Sequence, residues 1–149
     1  MQAINAGDTA FVLICTALVC MMTPALALFY GGLVKQRDVL SIMIQNFVCI
    51  GIVSIIWVFG GFSLAFGPSI GGIIGDIRPY FGMYHVGISP NDTYAPHIPF
   101  MMVFAYQMMF AIITPALMTG AFVGRFKFGA YLFFVALWTV YASLTQLNL

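Results

Sequence analysis

Residues 39–66 read VLSIMIQNFVCIGIVSIIWVFGGFSLAF, a run of 28 residues without a charged side chain. A helix crosses the roughly 30 Å hydrocarbon core of a membrane with about 20 apolar residues, so this run is long enough to cross at a tilt. Asp38 precedes it as a candidate N-cap, and a turn at Gly67 and Pro68 follows it. The run therefore predicts a transmembrane helix.

The composition of the whole chain agrees with this run. Of its 149 residues, 62% are hydrophobic and 6% are charged, and the mean hydropathy is +1.04. Soluble domains are typically about 45–50% apolar and about 25% charged. Charges are too few for a disordered tail or a basic nucleic-acid-binding module. Cys15, Cys20 and Cys49 lie in apolar stretches and are expected to be small buried hydrophobes, not part of a disulfide scaffold.

Three more uncharged stretches have the length of a membrane span: residues 9–30, 98–124 and 128–147. Asp8 or Thr9 is the candidate N-cap of the first. No basic residue precedes that stretch, so it is predicted to be a retained span rather than a signal peptide. The predicted fold class is all-α, a polytopic helical membrane protein with four transmembrane helices.

The basic residues predict how these helices are oriented. Four of the five lie in the two short connections between spans: Lys35, Arg37, Arg125 and Lys127. By the positive-inside rule these connections are cytoplasmic, and the N-terminus and the loop at residues 67–97 lie outside. That loop contains both histidines, His85 and His97, which are expected to be solvated loop residues.

Polar and small side chains within the spans indicate a packed helix bundle. The amides of Gln45, Asn46 and Gln107 are expected to find partners on neighbouring helices, because an unpartnered amide in hydrocarbon is costly. A close-packing stripe of small residues is expected at every fourth position of the third span: Ala116, Gly120 and Gly124.

The four stretches contain no Asp, Glu, Lys, Arg or His. Proton relays, voltage sensors and ion-pair carriers depend on such residues within the membrane. Acid–base catalysis and metal binding depend on them as well. The sequence therefore favours a protein that is not an enzyme and needs no cofactor or metal, and that passes something small or packs against other helices.

Three motifs resemble the ammonium transporter (Amt/MEP/Rh) family. Residues 27–34 read ALFYGGLV, similar to its F-Y-G-G-(L/M)-(V/I) signature. Residues 57–67 read WVFGGFSLAFG and residues 106–111 read YQMMFA, which resemble its W-x-x-x-G-(Y/F)-S-(L/V)-(A/S)-F-G and F/Y-Q-x-x-F-A segments. The motifs follow in the family's order, so residues 1–149 are identified as the N-terminal part of such a transporter domain.

The resemblance implies a fold and a function. Members are homotrimers in the plasma membrane that serve nitrogen uptake, and each protomer has about eleven spans around a narrow hydrophobic pore for ammonia derived from external ammonium. Tyr106 and Phe110 match the outer ammonium site and the first gate phenylalanine, and Phe29, Tyr30 and Leu117 match pore-lining positions. The implied partners are ammonium or ammonia and membrane lipid, with no nucleic acid and no cofactor.

The chain departs from the family pattern after Trp138. The family continues through P-x-A-H-W to a W-G-G-G turn, whereas residues 139–149 read TVYASLTQLNL. We expect the chain to represent about the first third of a transporter, truncated or shifted in frame near Trp138, and not to conduct ammonium alone. The alternative is a non-transporting four-helix membrane subunit or regulatory fragment that packs against partner helices.

Overall fold

A computed structural model of the chain describes residues 4–70 and 74–145, which are mostly helical. The helices are α1 (Ala6–Leu33), α2 (Gln36–Ile56), α3 (Phe62–Phe66), α4 (Phe100–Phe122) and α5 (Phe128–Thr145). Among the described residues, three helical segments are long and apolar enough to cross a membrane: Ala6–Leu33, Gln36–Phe66 and Phe100–Phe122. Helix α5 is apolar but shorter, and residues 146–147 of the fourth predicted span lie outside the described residues.

Two predicted helix starts are wrong. Asn5, not Asp8 or Thr9, is the N-cap of α1, because its side chain accepts hydrogen bonds from the backbone N–H groups of Gly7 (2.9 Å) and Asp8 (3.3 Å). Helix α2 likewise begins before Asp38, at Gln36. Asp8 and Asp38 lie instead in the first turns, where a negative charge favours the positive end of the helix dipole.

The second predicted span is not one regular helix. At Trp57–Gly61 the chain forms a π-helical turn, in which the backbone N–H of Phe62 donates to the carbonyl of Trp57 five residues earlier. Such turns occur as single insertions within longer helices, often at functional sites. The rings of Trp57 and Phe62 consequently meet edge to face, with centroids 5.8 Å apart.

Helices α2, α4 and α5 enclose the core, and α1 packs against α2 and α4. One cluster of buried residues lies among these helices: Cys49, Val53, Ile112, Ala116, Tyr131 and Val135. The Tyr131 hydroxyl donates to the Gln45 carbonyl and shares a hydrogen bond with the Thr119 hydroxyl, each at 3.2 Å. A single side chain of α5 thus connects α2 and α4.

The prediction that the Asn46 amide has its partner on a neighbouring helix is wrong. Its side-chain N–H donates to the Ile42 carbonyl of the same helix, at 2.9 Å. The expectation for the cysteines is confirmed only for Cys49, which is buried, since Cys15 is half-buried and Cys20 is exposed. An exposed thiol on a membrane-spanning helix faces lipid or another helix at no polar cost, because a thiol behaves as a small hydrophobe.

The loop at residues 67–97 forms two small antiparallel hairpins against the end of α3. Strand β1 (Ser69–Ile70) pairs with β2 (Ile74–Gly75), and β3 (Pro90–Asn91) pairs with β4 (Ala95–Pro99). The Ser63 hydroxyl donates to the Asp76 carbonyl (2.9 Å) and accepts from the Tyr80 backbone N–H (3.2 Å). The end of α3 therefore holds the loop in place, and both histidines lie exposed in it as expected.

Candidate functional site

Tyr106 and Phe110 form an aromatic pair on α4. They lie one helical turn apart, so both side chains project from the same face. Their rings meet edge to face with centroids 5.0 Å apart. Phe110 is 37% exposed and Tyr106 is half-buried, so the pair presents ring surface instead of filling the core.

A cavity of about 340 Å³ adjoins Tyr106 at the loop end of α4. Its walls come from the start of α1, strand β4 and α4, and its polar lining residues are Asp8, Tyr94, His97, Tyr106 and Gln107. Asp8 supplies a carboxylate residue to the same lining as the Tyr106 ring. A pocket that combines a carboxylate with aromatic rings suits a small cation.

The loop wall of this cavity is fixed by two hydrogen bonds. The Asn5 backbone N–H donates to the His97 carbonyl (2.9 Å), and the Tyr94 hydroxyl donates to the Phe66 carbonyl (2.9 Å). Burial raises the pKa of Tyr94, and the nearby Tyr80 raises that pKa further. The Tyr94 hydroxyl therefore keeps its proton as a donor, and the loop stays docked on α3.

Tyr30 and Leu117 meet at the other end of α4. The Tyr30 hydroxyl of α1 donates to the Leu117 carbonyl at 2.7 Å. A Cβ at Gly120 would lie 3.0 Å from the Tyr30 ring, so the absence of a side chain lets that ring approach. The predicted small-residue stripe thus packs at buried Ala116 and at Gly120, whereas Gly124 lies beyond α4 with φ of 69° and serves the turn.

The five predicted site residues form two groups. Tyr106 and Phe110 lie near the loop, and Tyr30 lies against Leu117 about 10 Å further along α4, at the rise of a helix. Phe29 belongs to the second group through its contact with Tyr30, in which the two ring centroids lie 5.9 Å apart. The Phe29 side chain is 61% exposed. Between the two groups, Phe110, Thr114 and Leu117 of α4 are exposed, and we call this side of the helix the open face of α4. Leu117 is 51% exposed.

Sequence reasoning missed the cavity residues Asp8, Tyr94 and His97. Asp8 was considered only as a helix cap, and His97 only as a solvated residue. Neither lies near Tyr106 in the sequence, so the signal appears only when the loop folds back on α1 and α4. The polar character of the loop was the available hint, but it does not predict which side chains converge.

Comparison with known proteins identifies the family. Residues 10–147 match the model of the Ammonium Transporter Family, a match that continues past Trp138. The ammonium transporter of Bacillus subtilis is 48% identical over 132 residues, which cover 89% of this chain and 32% of that protein. The ammonium transporter of Mycobacterium tuberculosis H37Rv is 39% identical over 150 residues, covering 92% and 31%. The chain spans about a third of the length of these curated relatives.

Solved structures agree with the sequence matches. Saccharomyces cerevisiae Mep2 superposes with a TM-score of 0.80 at 28% identity, covering 93% of this chain and 31% of that protein. A mutant of Candida albicans Mep2 gives a TM-score of 0.82 at 25% identity, covering 97% and 32%. On the combined evidence of a family model that matches nearly the whole chain, close relatives and a shared fold, the chain belongs to the ammonium transporter family.

Proposed function

We propose that residues 1–149 form the N-terminal part of an ammonium transporter domain, and that the open face of α4 is one wall of its pathway. The observation that carries this proposal is the edge-to-face Tyr106–Phe110 pair, of which Tyr106 lines a cavity that Asp8 also lines. Below the pair, α4 continues as an apolar face towards Tyr30 and Leu117.

The chemistry of this face suits ammonium at one end and ammonia at the other. A cation over an aromatic ring gains about 0.5–2 kcal/mol, and more when it is desolvated. Tyr106 and Asp8 offer that environment beside the loop, where water is available. Phe110 then marks the point at which a charged species would enter apolar surroundings at high cost, whereas neutral ammonia enters at much lower cost.

Tyr30, Leu117 and Phe29, at the end of α4 away from the loop, take pore-lining roles in this proposal. Tyr30 is held by its hydrogen bond to the Leu117 carbonyl, so its ring is fixed against α4. Leu117 and Phe29 present exposed apolar side chains beside it. Such a lining offers no strong hydrogen-bonding group that would retain a neutral molecule, which favours passage over binding.

Orientation and assembly are part of the proposal. Lys35 lies in the α1–α2 connection and Arg37 in the adjoining first turn of α2, and the α4–α5 connection contains Arg125 and Lys127. The positive-inside rule supports an orientation with these connections in the cytoplasm and the N-terminus and cavity outside, and family membership supports the plasma membrane as the location. Exposed apolar side chains of α1, such as Phe11 and Leu18, suit contact with lipid or with neighbouring protomers of a homotrimer.

A chimera tests the role of Tyr106. Residues 1–147, which include Asp8, replace the corresponding N-terminal segment of the Bacillus subtilis relative, and methylammonium uptake is measured in cells that lack their own transporter. Tyr106→Ala removes the aromatic face and is expected to raise KM by up to about 30-fold, the equivalent of about 2 kcal/mol. Tyr106→Phe retains the ring and is expected to keep KM within about 3-fold of the parent chimera, because the cation contacts the ring face.

Tyr84→Ala is the matched control, because Tyr84 is an exposed tyrosine of the same loop end that does not line the cavity. It should leave KM unchanged. Equal KM values for Tyr106→Ala and Tyr84→Ala would contradict the proposed site. An inactive parent chimera that is well expressed would favour the alternative, a four-helix membrane subunit that does not transport.

A further inference from the structure

A second cavity lies between the π-helical turn, α4 and α5. Its volume is about 120 Å³, enough for about four molecules of the size of water, each of which occupies about 30 Å³ in the liquid. The residues that line it are Trp57, Ala111, Thr114, Trp138, Thr139, Ala142 and Ser143. Trp57 and Trp138 are the two tryptophans of the sequence.

Both indole N–H groups at this cavity are buried without a partner. The Nε1 atoms of Trp57 and Trp138 have no hydrogen-bond acceptor among residues 4–70 and 74–145. Trp57 is only 1% exposed, so its N–H cannot be satisfied at the outer surface. A buried donor without an acceptor costs about 1–3 kcal/mol, and two such donors on one cavity indicate that something within it accepts from them.

The three hydroxyl groups of the cavity offer acceptors and no free protons. Thr139 donates to the Val135 carbonyl (2.7 Å), and Ser143 donates to the Thr139 carbonyl (2.7 Å). Thr114 donates to the Phe110 carbonyl (2.9 Å). Each hydroxyl proton is therefore used within a helix, and each hydroxyl oxygen retains a lone pair.

These groups define the ligand chemically. Two N–H donors need an acceptor, and three hydroxyl oxygens need a donor, so the ligand must do both. None of the lining residues carries a charge, which disfavours an ion in this buried position. Small neutral molecules with lone pairs and exchangeable protons, of which the cavity holds about four, satisfy both sets of groups together.

We propose that this cavity binds several molecules of water or ammonia, which together accept hydrogen bonds from the two indole N–H groups and donate to the hydroxyl oxygens. The π-helical turn makes the site possible, because it begins at Trp57 and turns that indole towards α4 and α5. Binding of water in this cavity would not depend on the proposed transport function. Binding of ammonia rests on that proposed function, since Thr114 lies between Phe110 and Leu117 on α4.

Indole nitrogen-15 spectra of the full chain in lipid nanodiscs test this proposal. Two tryptophans give two indole signals, which Trp57→Phe and Trp138→Phe assign. We expect both indole protons to show magnetisation transfer to water at short mixing times. Ala142→Leu fills the cavity and is expected to abolish both transfers, whereas Ala17→Leu, at an exposed position of α1, is expected to retain them.

Two further measurements make the test decisive. The spectra are recorded during a titration with ammonium chloride and during a control titration with sodium chloride, at the same ionic strength and pH. A saturable shift of both indole signals with ammonium alone assigns the ligand as ammonia. No shift assigns it as water. If Ala142→Leu fails to fold, Ser143→Ala, which removes one acceptor, is expected to shift both indole signals. Indole protons of the parent chain that show neither transfer to water nor a response to ammonium would overturn the proposal.

Discussion

Replacement of Phe62 by alanine is expected to lower the free energy of unfolding by about 3–5 kcal/mol, the range for buried aromatic side chains. Phe62 is 0% exposed and lies at the centre of an aromatic cluster. Its ring centroid lies 4.7–5.8 Å from those of five neighbours: Trp57, Phe66, Tyr80, Phe100 and Phe104. These rings come from the π-helical turn, α3, the loop and α4, so one truncation loosens the contacts among all four.

Denaturant unfolding in detergent measures this loss, with tryptophan emission as the signal because Trp57 contacts the deleted ring. Phe133→Ala is the matched control, since Phe133 is 68% exposed on α5. It should cost less than about 1 kcal/mol, because exposed side chains lose few protein contacts. Similar losses for the two variants would show that the cluster does not hold the loop to the helices.

Gly75→Ala is expected to displace the first hairpin of the loop from the end of α3. A Cβ at Gly75 would overlap the carbonyl oxygen of Leu64 and lie 2.8 Å from its carbonyl carbon. These are backbone atoms and cannot rotate away, so the hairpin must move. Overpacking of this kind typically costs about 1–3 kcal/mol, and we expect the upper part of that range because the bond from Ser63 to the Asp76 carbonyl would also be lost.

Hydrogen exchange of the loop amides measures the displacement. In Gly75→Ala the Tyr80 amide, which donates to the Ser63 hydroxyl, is expected to exchange at least tenfold faster. Gly87→Ala is the control in the same loop, because its Cβ would meet nothing closer than 4.0 Å. Unchanged protection of the Tyr80 amide in Gly75→Ala would mean that the hairpin does not depend on this close approach.

The sequence predicted the long helices because uninterrupted apolar length is a strong and local signal. It did not predict where they start. Helix α1 extends a turn beyond its apolar run because Asn5 caps it and because the Asn5 backbone N–H pairs with the His97 carbonyl. That second bond joins residues far apart in the sequence, so no local pattern could have predicted it. The π-helical turn was missed for a similar reason, since its residues are as apolar as those of the regular helix around it.

The candidate site likewise combines contacts that the sequence predicts with contacts that it does not. The Tyr106–Phe110 pair follows from their spacing of four residues on one helix. The contact of Tyr30 with Leu117 and Gly120 requires α1 to pack against α4, and the cavity with Asp8 requires the loop to fold back. Family resemblance points to the side chains of the first kind of contact and to Tyr30, and their role stays a prediction; it does not point to Asp8 or His97.

Internal pH of liposomes after an ammonium pulse tests the central claim most directly, namely that α4 of this chain is a wall of an ammonium pathway. At equal protein incorporation, the chimera that carries residues 1–147 should change internal pH faster than empty vesicles. The chain alone should match empty vesicles, because the face with Phe110 and Leu117 is left open to lipid. A chimera that responds no faster than empty vesicles, while the Bacillus subtilis relative does, would contradict the account.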